Sequence, residues 1–289
     1  MTPIEIEPNI LTGGLVFPES PRWHDGKLWL SDIYGSKVMT VDAEGHAEEV
    51  VRVRGWPSGL GFLPDGRPLV VSMRARMVHS IGPEGLGAYA DLTDLIGIDP
   101  NDMVVDGQGR AYVGKAGAYT LFGGPKALGY LVLVTPQREI RIVADGLANP
   151  NGLAITPDGG TLIVAESFAD RLSAFDIAAD GSLTGHRVFA ELGELGPDGI
   201  CLDAEGAVWV GATGSGGFVR VREGGEITHR VPTPGRWAVA PMLGGEDGKT
   251  LFMCTAQTTV YDLRRIRAEG RSDGWIETAR VETPRAGWP

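Results

Sequence analysis

A chain of 289 residues with 43% hydrophobic and 22% charged residues has the composition of a folded globular protein, long enough for two average domains or one large all-β domain. Lys+Arg 26 against Asp+Glu 37 leaves a net charge of -11, which repels nucleic-acid backbones and anionic lipid and excludes both as expected partners. The opening MTPIEIEPN has neither the basic nor the apolar stretch of a leader, and no run approaches the roughly 18 apolar residues of a membrane span, so the cytoplasm is the expected location.

One unit recurs along the chain, a turn glycine between two short alternating runs. After a first strand-like segment IEIEP (4–8), the copies are DGKLWLSD from Asp25, DGRPLVVS from Asp65, GQGRAYVG from Gly107, DGGTLIVAES from Asp158, EGAVWVGAT from Glu205 and DGKTLFMCT from Asp247. The turn glycines Gly26, Gly66, Gly109, Gly159, Gly206 and Gly248 are 40 to 50 residues apart, the repeat length of a four-stranded propeller blade. Glycine supplies the positive φ of a tight hairpin, and third strands follow in SKVMTVDAEG (36–45) and DRLSAFDIAADGSL (170–183). No helical period persists. The expected fold is all-β: one domain over 1–289, a six-bladed β-propeller of four-stranded antiparallel blades. Segments 277–283 (ETARVET) and 4–8 are expected to pair and close the ring. The stretch 115–129, rich in Gly and Pro, reads as a rim loop or lid. Cys201 and Cys254 lie in apolar runs without CxxC spacing and read as buried small hydrophobes.

Placing the units in register exposes a polar position. Eight residues before Gly66, Gly109, Gly159 and Gly206 stand Ser58, Asn101, Asn151 and Asp198; seven before Gly26 stands Glu19. Each heads a run that otherwise reads as a buried strand. Innermost strands line a propeller's channel, so Glu19, Asn101, Asn151 and Asp198 are expected to converge in a ring. Singly, Asn-Gly and Asp-Gly are common turns; four in register are better explained by one divalent metal in the central channel. Two carboxylates and two amide oxygens form a hard set suited to Ca²⁺, Mg²⁺ or Mn²⁺, and the absence of His and Cys argues against structural zinc.

The motifs ESPRW at Glu19, NDMVVDGQGRAYVG at Asn101, NGLAITPDGGTLIVAES at Asn151 and PDGICLDAEGAVWV at Asp198 together resemble the SMP-30/gluconolactonase/LRE group of six-bladed propellers over nearly the whole chain. That resemblance implies Glu19, Asn151 and Asp198 as direct metal ligands, Asn101 as a further ligand or substrate contact, and Asp198 as general base. Some sugar-lactonase members carry Arg two residues before the Asn that matches Asn101; Asp99 stands there, which argues against gluconolactone itself.

The expected activity is divalent-metal-dependent hydrolysis of a small lactone, sugar-derived or related. The ion polarises the carbonyl and Asp198 shuttles the proton. Calcium leads, with Mg²⁺, Mn²⁺, Zn²⁺ or Fe²⁺ as alternatives. No GxSxG, HExxH or GxGxxG supports other chemistries. The ends of the second strands, Asp32, Arg74, Lys115 and Glu166, are expected at the rim, where Arg74, Lys115, Glu166 and Asp99 are candidate substrate contacts; Trp56, Phe122 and Tyr130 are candidates for an apolar wall. Competing readings are a non-catalytic calcium-binding propeller and a phosphotriesterase-like side activity. Lactone identity and oligomeric state are not encoded in these motifs.

Overall fold

All six turn glycines adopt positive φ, between 70° and 84°, and each joins the first two strands of one sheet. The computed structural model describes residues 2–97, 99–116, 128–258 and 262–287, and of Arg264 the backbone only. Its sheets are six antiparallel blades. The inner strands are Pro18–His24, Pro57–Phe62, Pro100–Val105, Pro150–Ile155, Pro197–Leu202 and Trp237–Gly244, numbered blades 1 to 6 in that order. Each packs on the next, and the sixth packs on the first, closing a ring. Apolar clusters between the blades supply the core, with Trp209, Tyr112, Phe218 and Phe252 the largest fully buried side chains.

Closure uses a different segment from the one expected. Asn9–Leu15 pairs antiparallel with Gly274–Arg280 as the outer strand of blade 6, Asn9 opposite Thr278, while Ile4–Glu5 adds in parallel to the edge of blade 5. The closing strand NILTGGL contains two glycines and register shifts after Ile10 and Thr12, so its sequence does not alternate. Gly13 is required there because a Cβ would lie 2.9 Å from the Trp275 ring.

Five inner strands begin with proline, and that proline pairs with the last residue of the second strand: Pro18 with Asp32, Pro57 with Ser72, Pro100 with Lys115, Pro150 with Glu166, Pro197 with Ala212. In blade 6 Trp237 pairs with Ala256. A register shift follows in every blade, so each inner strand bulges as it enters the channel. A bulge bends the strand and re-aims its side chains.

The inner strands approach so closely that glycine is needed beside the bulge. A Cβ on Gly59 would lie 2.4 Å from the Met103 amide nitrogen, one on Gly152 2.5 Å from that of Ile200, and one on Gly199 2.3 Å from the Ala240 Cβ. Gly152→Ala is therefore expected to destabilise by about 1–3 kcal/mol through overpacking. Gly97→Ala, where the added methyl meets open space, is the control. Thermal unfolding of both measures the difference, and equal melting temperatures would refute the close-approach argument.

Candidate active site

The bulges place Glu19, Ser58, Asn101, Asn151, Asp198 and Ala238 at equivalent positions around one end of the channel. Side-chain contacts run round part of this ring. The Ser58 hydroxyl donates to Asn101 Oδ1 at 3.4 Å, Asn101 Nδ2 to Asn151 Oδ1 at 3.0 Å, and Asn151 Nδ2 to Ser167 Oγ at 3.3 Å. Asn101 and Asn151, 50 residues apart, thus meet directly.

The two carboxylates are less evenly served. Glu19 is 4% exposed and its Oε1 has no hydrogen-bond partner. Burial, then the Asp198 and Asp102 charges, push its pKa well above the ordinary carboxylate range. Burial raises Asp198 to about 7, although its hydrogen bond with Asn151 favours the ionised form. A buried carboxylate is costly unless neutralised. Glu19, buried, and Asp198, half-buried, with two amide oxygens alongside, constitute unmet demand for positive charge and fit a hard divalent cation. Among the described residues the trio Asp42, Glu44 and His46 also brings its ligand atoms within 4.8 Å. It sits on an exposed outer turn whose groups already bond to one another.

Below the ring the channel is plugged. Ser20 and Asp102 stand next to the ring where blades 2, 4 and 5 have glycine, and the Ser20 hydroxyl donates to Asp102 at 3.0 Å. Arg22 crosses from blade 1 to blade 3, 2.9 Å from Asp102, and donates to the Met103 carbonyl at 2.7 Å. Arg22 and Asp102 are 3% and 2% exposed. This pair escaped the sequence reading. Its signal was the loss of glycine at two of five aligned positions.

Above the ring opens a cleft of about 580 Å³ that includes Asn151, Asp198, Phe168, Arg236, Trp237 and Leu263 in its lining, a volume suited to a small ligand. Leu263 belongs to the helix α1, Leu263–Glu269, which leaves blade 6 and ends at Gly270 in the left-handed conformation. Seven residues make no stable helix alone; Ile266, fully buried, anchors it, and Arg267 reaches Asp99 at 3.3 Å. The described cover at the mouth is therefore α1. The loop expected to be a lid lies, apart from its ends, outside the described residues, as does Phe122.

Several expected rim residues are placed differently. Glu166 and Asp32 are fully buried. Glu166 accepts from the Ala148 amide at 2.7 Å, Arg171 at 2.8 Å and Ser173 at 2.5 Å, bonds that hold its pKa down against burial. It braces blade 4, not a substrate. Asp32 accepts from the amides of Val16 and Phe17. The reason is geometric: the second strand ends beneath the incoming loop, whose amides need an acceptor. Asp99, expected as a substrate contact, instead bonds Arg267. Lys115 is 8% exposed, 5.2 Å from the Tyr130 ring centroid, and burial lowers its pKa. Arg74 is exposed and stacks 4.4 Å from the Trp56 ring centroid. Tyr130 donates to the Leu95 carbonyl. Cys201 and Cys254 are buried free thiols, with burial lifting Cys201 to about 12.

Residues 17–257 match the SMP-30/Gluconolactonase/LRE-like region family. This chain belongs to that family. It is 24% identical over 257 residues to the 6-deoxy-6-sulfogluconolactonase of Pseudomonas putida, covering 84% of each chain. It is 26% identical to regucalcin of Gallus gallus, covering 82% of each. Among solved structures, the calcium-binding protein regucalcin from Agrobacterium tumefaciens superposes with a TM-score of 0.80 at 22% identity, over 100% of this chain and 98% of that one. A gluconolactonase from Xanthomonas campestris gives 0.72 at 22% identity, over 93% and 88%. These likenesses show the propeller fold.

Two outcomes follow from the site's electrostatics. Unfolded Asp198 ionises near 3.8 but folded Asp198 near 7. Between these values the unfolded state releases a proton that the folded state keeps, so cation-free protein loses stability as pH rises. Melting temperatures from pH 4 to pH 8 in chelator should show Asp198→Asn gaining on the parent as pH rises; a pH-independent difference would contradict this. Second, Arg22→Met leaves Asp102 buried and unpaired, which should cost about 3–5 kcal/mol in denaturant unfolding, with Arg22→Met/Asp102→Leu recovering part of it.

Proposed function

We propose that this protein hydrolyses a small lactone at one divalent cation held by Glu19, Asn151 and Asp198, with Asn101 as a fourth oxygen ligand or a substrate contact. The observation that carries the reading is the pairing of Glu19, whose buried oxygen lacks a partner, with Asp198 at the foot of a ligand-sized cleft. The relatives named lactonase support it, and those named regucalcin or calcium-binding protein put calcium first among candidate ions.

A cation at this position supplies polarisation of the lactone carbonyl. The rest falls to the chain. The cleft above Asn151 and Asp198 admits a ring-sized substrate, and Trp237 and Phe168 supply its apolar walls. Asp198 takes a proton from the attacking water as the C–O bond forms, and returns it to the ring oxygen as the lactone C–O bond breaks, leaving a hydroxy acid. General acid–base catalysis of this kind contributes about 10²–10⁴-fold. Asn101 Nδ2 donates to Asn151 Oδ1 at 3.0 Å, which couples the two amides beside the site. Arg74, exposed at the mouth, is kept as a substrate contact, whereas Lys115 is buried beside Tyr130 and Asp99 acts through Arg267.

Chelated protein should lose hydrolysis of γ- and δ-lactones in a pH-indicator assay and regain it with Ca²⁺, Mg²⁺ or Mn²⁺. Asp198→Asn should fall by at least about 10²-fold while remaining folded. Full activity in Asp198→Asn would exclude it as the base. Cation-induced thermal stabilisation with no hydrolysis of any ester would favour a calcium-binding module instead.

A further inference from the structure

Asn149, Gly196 and Arg236 stand two residues before the ring positions Asn151, Asp198 and Ala238, and all three are in the cleft lining. They form a tier one step above the ring. Blade 6, whose alanine gives the ring no ligand, contributes to this tier its cation, Arg236, next to the blade that carries Asp198. A tight turn pins the Arg236 backbone: its amide donates to the Thr233 carbonyl at 3.0 Å, and the hydroxyl of Thr233, a fully buried residue, donates to the Arg236 carbonyl at 3.2 Å.

The side chain is held as firmly. Arg236 Nε donates to Glu277 Oε1 at 2.7 Å and Nη2 to Oε2 at 2.9 Å, a bidentate fork that fixes the guanidinium plane. Glu277 is set in turn by the fully buried Thr255, whose hydroxyl donates to Oε1 at 2.6 Å. Glu277 is 1% exposed and Arg236 24%, so the open side of the pair is the arginine's. With Nε and Nη2 engaged, Nη1 has no hydrogen-bond partner among the described residues. Arginine only donates, and the group it takes from the cleft is therefore an acceptor.

Charge narrows that acceptor. Glu277 already offsets the guanidinium, and Asp170 and Glu194 line the same cleft. An anionic substituent meets two acids and an arginine that is already paired. A hydroxyl finds a donor in Nη1 and acceptors in the carboxylates. Resting on the lactone reading above, we propose that Arg236 is the specificity-determining residue of the cleft: its Nη1 donates to an uncharged hydroxyl on the lactone ring, and Glu277 positions it.

γ-Butyrolactone and its α-hydroxy and β-hydroxy derivatives test this through kcat/KM, each divided by its spontaneous hydrolysis rate. A site that bonds a hydroxyl discriminates against the analogue lacking it, and here the parent should favour at least one hydroxy-lactone by at least about 10-fold. The double variant Arg236→Met/Glu277→Gln, which leaves no buried carboxylate unpaired, should bring that ratio toward unity, with thermal unfolding confirming the fold. Arg236→Lys keeps the charge without the fork and should retain only part of the preference. Glu277→Gln alone leaves the guanidinium uncompensated and should shift preference toward γ-carboxy-γ-butyrolactone, a change that loss of packing would not produce. No hydroxyl preference in the parent, an unchanged ratio in the double variant, or no shift in Glu277→Gln would overturn the proposal. If none of these lactones is hydrolysed the lactonase reading fails, and calorimetric titration with Ca²⁺ present decides this one separately. Tighter binding of a hydroxy-lactone by the parent and not by the double variant sustains the contact; equal affinities dismiss it.

Discussion

Close approach of six backbones around one axis is the constraint from which the rest of this protein follows. Gly59, Gly152 and Gly199 have no room for a methyl group, because the neighbouring inner strand already occupies it. Strands packed this tightly accommodate one another by bulging, and the bulge commits one residue per blade to the channel. Whatever occupies that position is partly or wholly taken out of bulk water. Alanine in blade 6 and serine in blade 2 bear this cheaply; the carboxylates of blades 1 and 5 do not.

Burial alone does not mark Glu19 and Asp198 as functional, since other buried acids are ordinary structural parts. Asp203 is 1% exposed, but it lies 2.6 Å from Arg220 and accepts from two backbone amides. Asp106 is equally hidden and equally served, by Arg110 and two amides. Glu166 has three donors. Each repays its desolvation within its own blade. Glu19 instead faces a second acid across the channel, with an oxygen that has no donor. Asp32 also has an oxygen without a hydrogen bond, but two amides and Lys37 at 3.9 Å serve that carboxylate; the second acid close by, not depth, sets Glu19 apart.

The propeller was legible because its turns demand glycine at fixed places, and a 40-to-50-residue period survives any variation in the strands between. The ring was legible for the same reason: the distance from bulge to turn is constant in blades 2 to 5, so one count finds Ser58, Asn101, Asn151 and Asp198. Closure was not. Asn9–Leu15 follows no alternation, and its partner is set by ring geometry, not by its own pattern. Glu166 was misplaced because a strand end near a mouth looks the same in sequence whether it faces solvent or an incoming loop. Arg267 was invisible for a further reason: Asp99 lies 168 residues away, and only the folded ring brings blade 6 across to blade 3.

The ring and the mouth are therefore built under different rules. Ring residues are fixed by the bulge, and a change in any blade's inner strand disturbs the neighbour that packs on it. Mouth residues stand on loops and on α1, where Arg267, Asp99, Trp56 and Arg74 form a cluster that can be altered without touching an inner strand. Asp99 takes its arginine from another blade, so a charge that its own loop leaves unbalanced is balanced through tertiary contact. Such pairing between blades is available where loops converge on one end of a rigid ring of blades. The ring is thereby held constant while the mouth above it is open to change.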